Sequence, residues 1–310
     1  PATVVASLIP HRDGPLGGSR FVVSDAGGGH AHCGAIIYQG GAFPEEYEGS
    51  LLMNNVHGNR VNRDVLAPQG SGFVGSHAPD FLLANDQWFR GIHLESGPAG
   101  SVYLSDWYDE QACHRGDREI WDRSNGRLYR ISHGTHQPVS VDLTQLSEAE
   151  LAGIQDHPNA WYGRQARRLL QERGASAQTA TRLVNQLRSD APLASRLSSL
   201  WALHVSAGVP EELTLELLED GEPYLRGWAV RLALENREAS PVLLSSLADL
   251  ARRDDSPLVR RFLASRHSDD WDVPGFLDEL GQICPVPDDL NSEDKVYQWN
   301  QGEISEKLSE

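Results

Sequence analysis

The chain has 310 residues, long enough for two domains, with 27 Lys and Arg against 44 Asp and Glu and a formal net charge of −17. The negative charge is spread along its length, and no segment gathers the Lys/Arg cluster that displaces counterions from phosphates, so the chain is not expected to bind nucleic acid. No apolar run reaches the roughly 20 residues that span a bilayer, and three cysteines without metal or redox spacing make no disulfide framework.

The opening Pro1-Ala2-Thr3-Val4-Val5 has no initiator methionine, no charged leader and no signal h-region, and it reads as the cut end of something longer. Most of the glycines and histidines lie before Thr135. Within that part, apolar runs bounded by turn residues predict short strands at 3–9, 20–24, 35–38, 50–54, 61–66, 81–84, 91–94, 101–106 and 127–131. Short strands at this spacing suit a sandwich, a barrel or propeller blades. The segment Gly97-Pro98-Ala99-Gly100 leads by a tight turn into an alternating strand ending Asp106-Trp107, which favours blades. At about 40 residues per four-stranded blade, residues 1–133 make about three blades, too few to close a ring.

Two polar strings dominate this part: Gly28-Gly29-His30-Ala31-His32-Cys33-Gly34, and Met53-Asn54-Asn55-Val56-His57-Gly58-Asn59-Arg60-Val61-Asn62-Arg63-Asp64. Together with GHAHCGAIIYQGG, FPEEYEGSLLMNNVHGNRVNRD, GSHAPDFLLANDQWFRG, SDWYDEQACHR and WDRSNGRLYRI, they make residues 28–131 resemble the C-terminal blades of the membrane-bound dehydrogenase family of Planctomycetes and relatives. That family's propeller is similar to soluble quinoprotein glucose and sorbosone dehydrogenases, and its members commonly continue into HEAT-type repeats and often a c-type haem domain. The resemblance implies a partial β-propeller, oxidation of a sugar or polyol, pyrroloquinoline quinone and calcium as cofactors, and an extracytoplasmic location. This chain departs from the family in reading Ala99 where the turn usually carries Asp. It also has no CxxCH, so no covalent haem is expected.

Each polar group has a functional and a structural reading. His30, His32 and His57 suit a base that takes a proton from a sugar alcohol, or they bond backbone at strand ends. Arg60 and Arg63, with Asn59, Asn62 and Asp64 interleaved and Asn55 just before them, would grip the carboxylates of a quinone, or form an Arg–Asp ladder between blades. On a strand, Arg60, Asn62 and Asp64 share one face and Arg63 takes the other. Asp106, Asp109, Glu110 and Asp117 offer hard oxygen ligands for calcium without EF-hand spacing, and capping of the blade is the plainer role. Cys33 and Cys113 either bridge two blades, as suits an exported protein, or stay as two buried thiols.

From about residue 145 to 281 the composition turns to Leu, Ala and Arg and predicts helices. Ser147 and Glu150 have capping-box spacing, and Ser240-Pro241 and Ser256-Pro257 each place a cap before a proline at the first helical position. Arg164, Arg196, Arg226 and Arg260 recur inside similar strings at intervals of 32, 30 and 34 residues, which fits a stacked helical hairpin of HEAT-like type. The stripe Leu197, Leu200, Trp201, Leu203 and its counterpart Leu225, Trp228, Ala229, Leu232 read as core, with His204 a satisfied histidine at the boundary. Residues 285–310 are acidic and Pro/Ser/Asn-containing and read as a tail. The whole is expected to be all-β then all-α: part of a quinoprotein dehydrogenase-like propeller followed by an α-solenoid that could dock a protein partner. A non-catalytic propeller and solenoid that bind carbohydrate or protein is the alternative.

Overall fold

A computed structural model describes residues 31–111, 124–135, 137–236 and 239–265. The strands expected at 3–9 and 20–24 and the tail at 285–310 lie outside the described residues. The order is strands first, then helices, in two compact units. The first holds the sheets, runs to Leu146 and includes Asp156–Ala166; the second holds the rest of the helical part together with Pro68–Val74.

In the first unit, β1 (His32–Ile37), β2 (Leu51–Asn55), β3 (Arg60–Gln69) and β4 (Gly72–Leu83) form one sheet in the order of the sequence. β5 (Gly91–Ser96), β6 (Val102–Asp106) and β7 (Arg127–Ile131) form a second, again in sequence order. Alternation along each strand sends apolar side chains to one shared core of Tyr38, Leu52, Val61, Phe81, Phe89, Leu94, Val102, Leu104 and Ile131. β4 begins at Gly72, nine residues before the strand that the sequence suggests, because Ser76, His77 and Pro79 hide its alternation. Proline is tolerated there because β4 is an edge strand.

The two sheets approach most closely where both first strands carry a bulge. Pairing with β2 slips between Cys33 and Ile36, and pairing with β6 slips between Gly91 and His93, one extra residue each time. Gly34 sits in the first bulge at φ +58°, and a Cβ on it would lie 2.4 Å from the Ile92 carbonyl oxygen. A Cβ on Gly91 would lie 2.3 Å from Asn54 Oδ1. Only hydrogen fits at both points, which lets β1 cross β5 backbone to backbone.

The helices are α1 (Glu148–Gly153), α2 (Ala160–Arg173), α3 (Ala177–Arg188), α4 (Leu193–Ala207), α5 (Glu211–Leu217), α6 (Pro223–Ala233), α7 (Pro241–Arg253) and α8 (Pro257–Ala264). Ser147 and Glu150 form the expected capping box, and the Ser240 hydroxyl accepts from the Leu243 amide. Ser256 does not cap with its side chain; its own amide donates to Asp254 Oδ1 instead.

Arg164, Arg196, Arg226 and Arg260 fall in α2, α4, α6 and α8, the even member of each pair. Three of them share one device. Arg196 grips Asp220, and Arg226 grips Asp254 through Nε and Nη2 while its Nη1 donates to the Asp220 carbonyl. Arg260 Nε donates to the Asp254 carbonyl. The turns that precede α6 and α8 are thus each held by the arginine of the pair before. Arg164 departs from the pattern and is exposed, whereas Arg167 lies over the Trp201 ring. Trp201 meets Trp228 at 5.0 Å and Trp228 meets Phe262 at 6.1 Å, so aromatic rings join α4, α6 and α8 in sequence.

Candidate functional site

The polar string at the start of the first sheet gathers on the face opposite the shared core. β2 pairs Asn55 with Arg60 and Met53 with Asn62, while His32 stands opposite Asn55 on β1. That register lays His32, Asn55, Arg60, Asn62 and Asp64 on one side of three adjacent strands. His32 Nε2 lies 3.2 Å from Asn62 Oδ1, which also accepts from Asn55 Nδ2 at 3.1 Å. Asn62 Nδ2 donates to Asp80 Oδ1 at 2.8 Å, and Arg60 Nη1 donates to Asp80 Oδ2 at 2.8 Å. His77 Nδ1 stands 3.2 Å from Asp64 Oδ1, and its Nε2 stands 3.8 Å from Asp80 Oδ1.

The polarity of this chain of bonds is fixed by its ends. Arg60 only donates and the Asp80 carboxylate only accepts, so Asn62 turns its NH2 to Asp80 and its oxygen to His32 and Asn55. His32 then donates from Nε2 in this bond, so in the neutral tautomer it is Nδ1 that is left to accept. Asp80 and His77, which anchor the network, belong to the concealed half of β4. Their signal in the sequence was weak: polar residues around a proline, within a string that also carries the family resemblance.

Asn55 is 0% and Asn62 1% exposed. His32, by contrast, is exposed. His57 sits in the β2–β3 turn, outside the strand register that aligns the others.

Arg63 takes the opposite, core face, where it is buried over the Tyr47 ring at 4.5 Å with Nη2 donating to the Glu46 carbonyl. Arg60 and Arg63 therefore do not converge, and Arg60 is already committed to Asp80. These residues do not fit a grip on the several carboxylates of one quinone.

Asp106 is the last residue of β6 and Asp109 follows three residues later, and both are buried. Asp106 Oδ1 accepts from the Arg90 and Tyr108 amides, and Asp109 Oδ1 accepts from the Gln111 amide. Both carboxylates hold backbone in place. Among the described residues no group of three or more His, Cys, Asp or Glu is arranged to hold a metal ion. Cys33 is half-buried, its thiol reaches toward the Gly91 carbonyl at 3.5 Å, and burial pushes its pKa up. Cys113, its suggested partner, lies outside the described residues, as do His30 and Asp117.

The second unit contains a cavity of about 630 Å³ lined by His204, Glu211, Asn236 and Ser240 among others. His204 does have a partner, Glu235, at 2.6 Å. A cavity of about 280 Å³ in the first unit is lined by Ser101, Ser132 and His133. Neither is lined by the polar network.

A family model described as a domain of unknown function, DUF7133, matches residues 15–135, which is the strand-rich part of the chain. No curated protein matches the chain. No solved structure matches it either.

Proposed function

We propose that this chain is a binding and scaffolding piece of an extracytoplasmic, quinoprotein dehydrogenase-like protein: terminal propeller blades followed by a HEAT-like helical stack. Two antiparallel sheets that each follow sequence order, packed on one core with their first strands β1 and β5 side by side, support the blade reading. Helix pairs with an arginine recurring in the even member support the stack. The observation that carries the functional choice is the polar network. Its guanidinium, amides and carboxylates are engaged with one another across β1 to β4, the arrangement of a clasp, because a substrate or cofactor would have to outbid bonds already made.

One feature favours a catalytic second reading. His32 is exposed and bonded through Nε2 alone among the bonds described, so in the neutral ring Nδ1 is the atom to take the proton of a sugar or polyol hydroxyl. A dye-linked oxidation assay on the 310-residue chain, with glucose and sorbitol as substrates and pyrroloquinoline quinone and calcium added, separates the two. No turnover is expected. Turnover that falls by about 100-fold or more in His32→Ala would install the catalytic reading instead.

A further inference from the structure

The strained backbone of the first unit is concentrated in one place. Among the described residues, the non-glycine residues with positive φ are Asn59 at +53°, Asn85 at +52° and Tyr108 at +49°. All three belong to one knot of loops around Trp88. Asn59 sits in the β2–β3 turn, and its side-chain amide donates to the carbonyls of Gln87 at 3.1 Å and Phe89 at 2.8 Å. Its own carbonyl accepts from the Ala84 amide. From the other side the Asp109 amide donates to the Trp88 carbonyl, and the Trp107 amide donates to the Arg90 carbonyl. Asp86 Oδ1 accepts the Trp88 amide at 3.0 Å. Tyr108 is kept in its unusual conformation by a bond from its amide to the buried Asp106.

Strain of this kind persists only where the surroundings impose it, and it gathers at sites of function. Here its product is an indole carried on backbone that is bonded from both sides, and it is 37% exposed. Its neighbours are polar in a particular way. Trp88 meets the Tyr108 ring at 5.8 Å, and the Arg127 guanidinium lies over the far side of the cluster, 3.2 Å from the Tyr108 ring centre. Arg127 also lies 3.9 Å from Asp86 and donates to the Tyr129 hydroxyl at 3.4 Å. The patch thus combines an exposed aromatic ring with a carboxylate, a guanidinium and a phenol. Its two formal charges cancel in a chain whose net charge is −17, which disfavours anionic ligands.

From this combination we infer that the loop knot around Trp88 is a binding site for neutral carbohydrate. The electron-rich face of an indole attracts the polarised C–H bonds of a pyranose ring. The flanking Asp86 carboxylate accepts from sugar hydroxyls and the Arg127 guanidinium donates to them. Because the loops are already fixed, little conformational entropy is lost on binding. The inference rests on the binding reading of the first unit and specifies its ligand, through side chains other than those of the His32 network.

The test uses the 310-residue chain and three soluble probes, cellohexaose, xylohexaose and mannohexaose, in calorimetric titrations and by the change in tryptophan fluorescence. At least one probe should bind. Trp88→Ala should weaken that binding at least tenfold, and Asp86→Asn, which keeps the acceptor for the Trp88 amide, should weaken it several-fold with the melting temperature unchanged. Phe73→Ala, at an exposed ring of β4 outside the knot, should bind as the parent does. Failure of all three probes to bind would overturn the proposal. So would binding that survives both Trp88→Ala and Asp86→Asn, or binding of poly-L-proline in their place. If Trp88→Ala does not fold, Asp86→Asn and protection of Trp88 from N-bromosuccinimide by the bound sugar decide the matter. Turnover in the oxidation assay would defeat the binding reading itself, and it is scored separately from these titrations.

Discussion

Asp80 is the residue on which the polar face of the first sheet turns. It receives both the Arg60 guanidinium and the Asn62 amide at 2.8 Å, and its side chain is 12% exposed. Asp80→Ala would leave two donors unmatched in a poorly hydrated place, at about 1–3 kcal/mol for each group so stranded. Urea unfolding should therefore show a loss of about 2–4 kcal/mol, and a change below 0.5 kcal/mol would mean that water replaces the carboxylate freely. Gly34 is a second such point. Its φ of +58° alone makes alanine unfavourable by about 1–2 kcal/mol, and the Ile92 carbonyl stands where the methyl would go. Gly34→Ala should lower the thermal midpoint of the first unit or prevent its folding, and a variant as stable as the parent would refute the close crossing of β1 and β5. The alternation of Arg60, Asn62 and Asp64 against Val61 and Arg63 was legible, because a strand has period two whatever surrounds it. The role of Asp80 was not. Its partners lie 18 and 20 residues away, and only the folded register brings them together.

Among the elements, β4 and the even helices show opposite degrees of legibility. β4 lacked apolar alternation and contained Pro79, so only its end at Phe81 could be read. The even helices announced themselves through the arginine that recurs in similar strings, and α8 also through Pro257 at its first turn. The aspartates that meet those arginines were invisible, since they lie 24 and 28 residues downstream in the next pair. Burial decides how much each such pair matters. The Asp254 side chain is 2% exposed beside Arg226, whereas Arg188 and Glu216 are 51% and 48% exposed despite a similar two-pronged geometry. Arg226→Ala strands a buried carboxylate and should cost about 3–5 kcal/mol. Arg188→Ala should leave the denaturation midpoint nearly unchanged, because water screens that pair. Equal losses in chemical denaturation of the two variants would show that burial is not the deciding factor.

For the whole molecule, the same aspartate sets a dependence on acid. Burial pushes the Asp254 pKa up, but hydrogen bonds from Arg226 and the Ser256 amide, with the nearby Arg226 and Arg253 charges, outweigh it and hold the group below its ordinary value. A carboxylate with a depressed folded pKa stabilises the native state above its unfolded pKa of about 3.9 and ceases to do so as the pH falls through the folded value. The helical signal at 222 nm should therefore persist from pH 7 down to about pH 4 and be lost below it. Asp254→Asn should flatten that acid limb while lowering stability at pH 7; an unchanged limb would place the acid sensitivity elsewhere. The division into strands and then helices could be read from composition alone, since glycine, histidine and turn residues crowd the first part and Leu, Ala and Arg the second. The close approach of the two sheets could not, because it depends on bulges that leave no periodic trace.

The shared grip on Asp220 and Asp254 also bears on how the second unit comes apart. Asp220 is held through its carboxylate by Arg196 and through its carbonyl by Arg226, and Asp254 is held in the same two ways by Arg226 and Arg260. A helix pair cannot fray without releasing a guanidinium that also secures the turn of its neighbour. In an array joined only by nearest-neighbour contacts, end pairs open first and at lower free energy than those inside. Here the double hold couples adjacent openings, so native-state hydrogen exchange should find the amides of α4, α6 and α8 opening with a common free energy. In Arg226→Ala that common value should split in two, with α8 exchanging ahead of α4. The arginines then act less as rungs than as the stitches of a seam, where cutting one lets the fabric open only as far as the next.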